Sequence, residues 1–277
     1  MFLEILRFEV HASLRRRSTY VPIALMCGLG ALYSYLRTSG MEGGVLRPLN
    51  DAYSVAVFLA VSTLLGAYIP LSQFAEVVRR DEVSGMSDIV RASAARDPVV
   101  LMARFIAAML PMVVAFAAAA VGFELFYHMP WVDARLAVPL QASAYVRNFA
   151  ILVLPTLFVL AATTMLVTSL SRSNYSAFIL LIAVYMLYAF SLISSRRTSS
   201  LGAGSLFDPT GYNALLAVTW NWTNADKATL PLPLDGWLGL NRVLWVGAPV
   251  VALGWACVLS ARRDGVSMFG KRIVGGT

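Results

Sequence analysis

Residues 99–127 read VVLMARFIAAMLPMVVAFAAAAVGFELFY, and this long apolar run decides the class of the fold. A helix needs about 20 mostly apolar residues to cross the hydrocarbon core of a bilayer, and this run exceeds that length. Its only charged residues are Arg104, near its beginning, and Glu124, near its end. The stretch therefore predicts a transmembrane helix.

The composition of the whole chain agrees with that prediction. Of the 277 residues, 58% are hydrophobic and only 13% are charged, and the mean hydropathy is +0.70. A soluble domain typically has about 25% charged residues. We therefore expect an all-α integral membrane protein that forms a single domain over residues 1–277. Its six candidate spans are residues 20–37, 53–73, 99–127, 149–170, 176–194 and 241–261.

The distribution of basic residues predicts the orientation of these spans. If both termini are cytoplasmic, most of the 22 Lys and Arg residues fall on the inner side, as the positive-inside rule requires. Basic residues on the cytoplasmic side would account for the net charge of +7, so no nucleic-acid partner is expected.

Residues 1–18 contain an amphipathic pattern. Leu3, Leu6, Val10 and Leu14 recur at helical spacing, with charged residues on another face. Such a helix lies among lipid headgroups, so membrane lipid is an expected partner. The alternative is a simple cytoplasmic extension of the first span.

One polar segment interrupts the apolar pattern on the inner side. Residues 74–98 read FAEVVRRDEVSGMSDIVRASAARDP and concentrate charge between the second and third spans. The second span is predicted to continue as a helix to about Val83, where Gly85 can take the left-handed conformation of a helix end. A short helix is predicted over 88–95, before Asp97-Pro98 begins the next helix. Mixed charge around a small apolar side favours a docking surface for a soluble partner over a plain solvated loop.

Several kinds of catalytic site are absent from the sequence. The only Gly-Lys pair, Gly270-Lys271, is followed by Arg272, so no P-loop of the form G-x-x-x-x-G-K-[ST] is present. No H-E-x-x-H or G-x-S-x-G motif occurs, and His11 and His128 are the only histidines. We therefore predict a membrane subunit without a catalytic residue, cofactor or metal of its own.

The order of these features resembles that of the permeases of type-2 (ABC-2) ABC exporters. Those permeases have an interfacial N-terminal helix, six spans and a long cytoplasmic connection after the second span. The elements of that connection that match are Glu82, Ser84-Gly85, Ile89-Val90, Arg96 and Arg104, whereas ASAARDP departs from the family's proline–hydrophobic pattern. The resemblance implies a cytoplasmic coupling segment over 74–98 that contacts a separate ATPase. The residues assigned to that contact are Glu76, Arg79, Arg80, Asp81, Glu82, Gly85 and Asp88.

Residues 207–245 are similar to a narrower group, the permease halves of bacterial proteins that fuse type-2 spans to a zinc aminopeptidase domain. The matching elements are Asp208-Pro209, Gly211, Trp222-Thr223 and Asn241-Arg242. In the family, paired re-entrant helices between the fifth and sixth spans close an outer gate. The resemblance places that gate at about 208–235, within an extracytoplasmic loop over 195–240. The residues assigned to it are Asp208, Pro209, Gly211, Trp220 and Trp222.

The resemblance implies a permease subunit of an ATP-driven exporter in the inner (cytoplasmic) membrane. Two copies of a partner ATPase would bind ATP and Mg²⁺, and a second permease, identical or homologous, would complete the path of an unknown substrate. Glu124, Tyr185 and Tyr188 are candidates to line that path, although hydration near the outer surface is the favoured interpretation for Glu124, and packing for the tyrosines. Glu124 and His128, one helical turn apart, could share a face and a proton. A non-transporting ABC-like complex that acts on or signals to a partner protein is an alternative, and a channel or secondary carrier is another.

Overall fold

A computed structural model describes residues 2–39, 48–85, 97–171, 173, 175–197 and 202–274. All regular structure within these ranges is helical. Five helices are long and apolar enough to cross a membrane, and a bent pair of helices could form a sixth span. The expected all-α fold is therefore confirmed for the described residues, and its long apolar helices suggest a multi-pass membrane protein. The six-span layout stays a prediction.

The helices are numbered in chain order. The first five are α1 (Phe2–Arg15), α2 (Tyr20–Ser39), α3 (Ala52–Leu65), α4 (Tyr68–Val83) and α5 (Asp97–Tyr127). The next three are α6 (Ala142–Asn148), α7 (Leu154–Ser171) and α8 (Ser176–Arg197), with a π-helical turn, Phe149–Val153, between α6 and α7. The last three are α9 (Tyr212–Val218), α10 (Asn224–Thr229) and α11 (Gly236–Val274). Short 3₁₀ turns occupy Arg17–Thr19, Ala134–Leu136 and Ala203–Phe207.

The two ends of the bundle are named here after the predicted orientation. The inner end holds α1, the end of α4 and the beginning of α5, and the outer end holds α6, α9 and α10. The prediction of an N-terminal helix is confirmed by α1, which packs against α5.

The predicted second span, residues 53–73, is not one straight helix. The axes of α3 and α4 meet at 46°, with the break at Gly66 and Ala67. Pro70 explains the break, because proline has no N–H to bond the carbonyl of Gly66 and its ring would clash with that carbonyl. Gly66 has no room for a side chain, since a Cβ would lie 2.9 Å from the Phe116 ring.

The predicted fourth and sixth spans begin earlier than the apolar runs indicated. Helix continues from Ala142 through the π-helical turn to Ser171, instead of beginning at 149. Pro155 follows that turn, and a π-helical turn is one way for a helix to accommodate a proline. The sixth span was expected to begin at 241, but α11 begins at Gly236, so Asn241 lies inside the helix.

Close packing of α2 on α5 forms the centre of the bundle. A Cβ at Gly30 or at Gly122 would overlap the backbone of the other helix, so both glycines permit a close approach. Ser34 adds a hydrogen bond from its hydroxyl to the Phe123 carbonyl at 3.0 Å. The Phe123 ring stacks on Phe58 of α3, with ring centroids 4.5 Å apart, and this joins the third helix to the pair.

Candidate functional site

At the inner end, Arg104 of α5 bridges carboxylates on two other helices. Its Nε donates to Glu9 Oε1 at 3.1 Å, and its Nη1 and Nη2 donate to the two oxygens of Asp81 at 2.6 and 3.0 Å. Arg80 adds two hydrogen bonds to Glu9, at 2.9 and 2.7 Å. These four residues, called the inner network below, join α1, α4 and α5 through two positive and two negative charges.

The inner network is largely withdrawn from solvent. The side chain of Glu9 is 6% exposed and that of Arg104 is 12% exposed. Removing such charges from water costs several kcal/mol each unless they are paired. Paired carboxylates, one of them bound by both ends of the guanidinium fork, explain how Arg104 can lie inside an apolar run.

Three residues assigned to ATPase coupling form ion pairs with residues outside α4. Arg80 and Asp81 belong to the inner network, with side chains 26% and 21% exposed. Glu76 lies nearer the surface and pairs with Arg16 at 3.2 Å. These side chains therefore position α1 against α4 and α5 in this conformation.

The other assigned residues that the structure describes, Arg79, Glu82 and Gly85, lie at or just after the end of α4. Arg79 faces Glu82 at 4.0 Å, and residues from Glu82 to Gly85 are exposed. Gly85 has a φ of 70°, which confirms the predicted left-handed helix end. Asp88 and the predicted helix over 88–95 lie outside the described residues.

Sequence reasoning missed Glu9, although two signals pointed to it. Glu9 falls on the same helical face as Ile5 and Ala12, and a carboxylate on an apolar face needs a buried cation. Arg104, inside an apolar run, needs a buried anion for the same reason. Pairing the two unmatched charges would have predicted the contact between α1 and α5.

At the outer end, the Asp208 carboxylate organises the turn before α9. It accepts hydrogen bonds from the N–H and hydroxyl of Thr210 at 2.8 and 2.7 Å, and from the N–H of Asn213 at 2.8 Å. Asp208 is completely buried, and burial raises the pKa of its carboxyl, against the effect of these hydrogen bonds and of the Arg242 charge. Gly211 provides the turn with a φ of 77°.

Asn241 joins this turn to α11. Its amide nitrogen donates to the carbonyls of Ser205 and Asp208, at 2.8 and 2.9 Å. Asn241 is completely buried, so it is a packing residue inside α11 and not a boundary residue before the span.

Arg242 also packs against this turn and is only 7% exposed. Together with Asp208, Gly211 and Asn241 it forms what we call the outer cluster. Its guanidinium donates to the Asn241 side-chain oxygen, to Thr156 Oγ1 at 3.3 Å and to the Pro209 carbonyl at 3.4 Å. Within the described ranges, no carboxylate lies within 4.0 Å of it. Its charge is therefore held by neutral oxygens, and Asp208 acts on it only from a longer distance.

The predicted gate segment, 208–235, contains the short helices α9 and α10, as expected. The structure brings Asp208, Pro209 and Gly211 together with Arg242, so these elements of the motif form one cluster. Trp220 and Trp222 lie apart from it: Trp220 is 67% exposed, and Trp222 packs with a neighbouring apolar group.

Glu124 was expected to be hydrated near the outer surface, but the protein surrounds it. It is 7% exposed and lies among protein donors. Tyr145 donates its hydroxyl to Oε2 at 2.6 Å, the Asn50 amide donates at 3.2 and 3.3 Å, and His128 Nε2 lies 3.0 Å from Oε1. The hydration interpretation is therefore wrong, and the suggestion that Glu124 and His128 share a face is confirmed.

The other two candidates for a substrate path lie on α8. Tyr185 donates its hydroxyl to the Leu64 carbonyl at 3.1 Å, next to the bend between α3 and α4. Tyr188 faces the ring of Tyr212 in α9. The three candidate side chains thus contact different elements, and Tyr185 and Tyr188 connect α8 to the bend and to the predicted gate.

A scan against protein-family models gives no match for this chain, and a search of curated proteins gives none either.

Proposed function

We propose that this chain is the membrane permease subunit of an ATP-driven type-2 ABC exporter in the inner membrane, with both termini in the cytoplasm. It works with a second permease and with two ATPase subunits that bind ATP and Mg²⁺. The inner network carries this proposal, because it joins the helices that enter and leave the polar segment between α4 and α5.

The network gives that segment a rigid base. Helix α4 ends at Val83 and α5 begins at Asp97, so any force on residues 86–96 acts on both helices. Arg104 and Arg80 bind both helices to Glu9 of α1. An ATPase that pushes on the connection therefore moves α1, α4 and α5 together.

The bend between α3 and α4 could transmit a movement of the inner end to the outer end. Helix α4 packs against α7 and α8, and Tyr185 of α8 bonds the Leu64 carbonyl beside the bend. At the other end of α3, the Ala52 carbonyl accepts from the Asn148 amide at 3.0 Å. Tilting of α4 by the ATPase would change these contacts, so that ATP binding favours one of two states of the permease.

The test is purification of the tagged chain in mild detergent, followed by mass spectrometry of the bound proteins. We expect a P-loop ATPase in a molar amount comparable to the chain. Glu82→Arg should lose it, because a reversed charge at a desolvated contact costs several kcal/mol. Asp235→Arg, the same reversal at an exposed outer residue, serves as the control.

Two outcomes would contradict the proposal. One is the absence of any P-loop ATPase from the wild-type preparation. The other is equal ATPase binding by Glu82→Arg and wild type. Reconstitution of the complex in liposomes then tests transport, as ATP hydrolysis stimulated by a candidate substrate.

A further inference from the structure

A cavity of about 180 Å³ lies at the outer end, between α6 and the chain that follows α10. Gln141, Ser143 and Arg147 line one side, and Thr229 and Leu232 line the other. Sites for drug-sized ligands have volumes of roughly 300–1,000 Å³. The outer cavity, as we call it, therefore suits a small chemical group.

The charge of the outer cavity is positive. Among the described residues that line it, Arg147 is the only one with an ionisable side chain. Its charge attracts anions, and no lining carboxylate opposes it in the part of the chain that the structure describes.

Three side chains at the cavity have hydrogen-bond donors to spare. Arg147 donates one N–H, from Nη2, to the Leu232 carbonyl at 2.8 Å, which orients its guanidinium across the cleft. Arg147 and Ser143 are exposed and Gln141 is half-buried, and the other N–H groups of Arg147, the Gln141 amide and the Ser143 hydroxyl make no hydrogen bond within the described ranges, so these donors are open to a solute.

We propose that the outer cavity binds a small oxyanion, either a phosphate group or a carboxylate, with Arg147 as the main ligand. The planar guanidinium matches two oxygens of such a group, while Gln141 and Ser143 bond the remaining oxygens. The group belongs either to a lipid headgroup or to a free solute, and both present the same chemistry. This site does not depend on ATP coupling, so it stands or falls separately from the proposed function.

The first experiment measures thermal unfolding of the purified chain in detergent with inorganic phosphate, against chloride at equal ionic strength. We expect phosphate to raise the Tm of wild type. In Arg147→Gln, which removes the charge, the affinity for phosphate should fall about tenfold or more, since a hydrogen bond to a charged group is lost. Arg135→Gln removes an equal charge from an exposed residue outside the cavity, and its affinity should match wild type.

Ser143→Leu provides a second variant that keeps the hydrogen bond between Arg147 and Leu232. Its larger side chain occupies part of the cavity, so phosphate binding should fall while the fold is retained. This variant decides the question if Arg147→Gln does not fold.

The second experiment identifies the source of the anion. The delipidated chain is mixed with phosphatidylglycerol and examined by native mass spectrometry. Retention of this lipid by wild type and Arg135→Gln, but not by Arg147→Gln, assigns the site to a lipid headgroup. Phosphate binding without lipid retention assigns it to a solute. The proposal is overturned if wild type binds neither, or if Arg135→Gln and Arg147→Gln lose binding equally.

Discussion

Gly211 lies directly against the guanidinium of Arg242, so that a Cβ at position 211 would overlap Nη2. Arg242 cannot swing away without breaking its hydrogen bonds to Asn241, Thr156 and Pro209. The φ of 77° at Gly211 is also unfavourable for any residue with a side chain. The turn before α9 and the first turns of α11 are thus fitted to each other through one glycine.

We expect Gly211→Ala to lower the free energy of unfolding by about 2–4 kcal/mol, because backbone strain and overpacking add. The measurement is thermal unfolding of the purified chain in one detergent. Gly247→Ala in α11 is the matched control, since a Cβ there meets nothing within 4 Å and alanine favours a helix. Equal Tm values for the two variants would show that the contact between residues 211 and 242 is dispensable.

The buried carboxyl of Asp208 predicts a pH-dependent contribution to stability. Burial raises its pKa above the ordinary value of 3.8, so the folded protein binds this proton more tightly than the unfolded chain. The contribution is therefore complete below pH 3.8 and is lost as the pH rises through the raised pKa. The Tm of wild type minus that of Asp208→Asn should decrease as the pH rises above about 4.

Asp226 offers a control of the opposite sign. Its carboxylate accepts hydrogen bonds from the hydroxyl and N–H of Thr223, which lower its pKa, so its contribution is lost as the pH falls through that lower pKa. The Tm difference for Asp226→Asn should therefore increase with pH. A difference for Asp208→Asn that also increases would contradict the raised pKa.

Glu9→Gln should release α1 from the bundle. The substitution leaves Arg104 and Arg80 without the carboxylate they share, and breaking a buried ion pair costs roughly 3 kcal/mol. We expect hydrogen exchange over residues 2–15 to become faster, while α2 and α5 stay protected.

The control variant is Glu76→Gln, which breaks the exposed pair with Arg16 and should cost less than about 1 kcal/mol. Unchanged protection of α1 in Glu9→Gln would refute a structural role for the inner network.

Tyr145→Phe removes the shortest hydrogen bond to Glu124, which measures 2.6 Å. A bond to a charged group contributes about 1.5–3 kcal/mol, so the free energy of unfolding should fall by that amount. Tyr185→Phe removes a more exposed bond to the Leu64 carbonyl and should cost about 1 kcal/mol or less. The ranking is tested by chemical unfolding in mixed micelles, and a reversed order would contradict it.

The orientation is tested with single cysteines at two exposed positions, after Cys27 and Cys257 have been replaced. Val83 is 71% exposed at the inner end, and Trp131 is 74% exposed at the outer end. An impermeant maleimide added outside the inner membrane should label Trp131→Cys at once, and Val83→Cys only after permeabilisation. Labelling of both from outside would rule out the predicted topology.

The amino-acid sequence by itself determined the membrane class, the approximate spans and several breaks between helices. Apolar runs long enough to cross a bilayer identify spans without any knowledge of their neighbours. Gly85 could be placed at a left-handed helix end from a local backbone signal. The short helices within 208–235 were instead implied by the resemblance to type-2 permeases. The bend at Gly66 was not predicted, although Pro70 is a local backbone signal for it.

Only the tertiary structure decided how the isolated charges are paired. Arg104 meets Glu9 across 95 residues of sequence, and Glu124 meets Asn50 across 74. The packing of helices selects these partners, because a buried charge must find an opposite charge or a donor wherever the fold brings one near. The sequence therefore shows that Arg104, Glu124 and Arg242 need partners, whereas the arrangement of helices determines which residues meet that need.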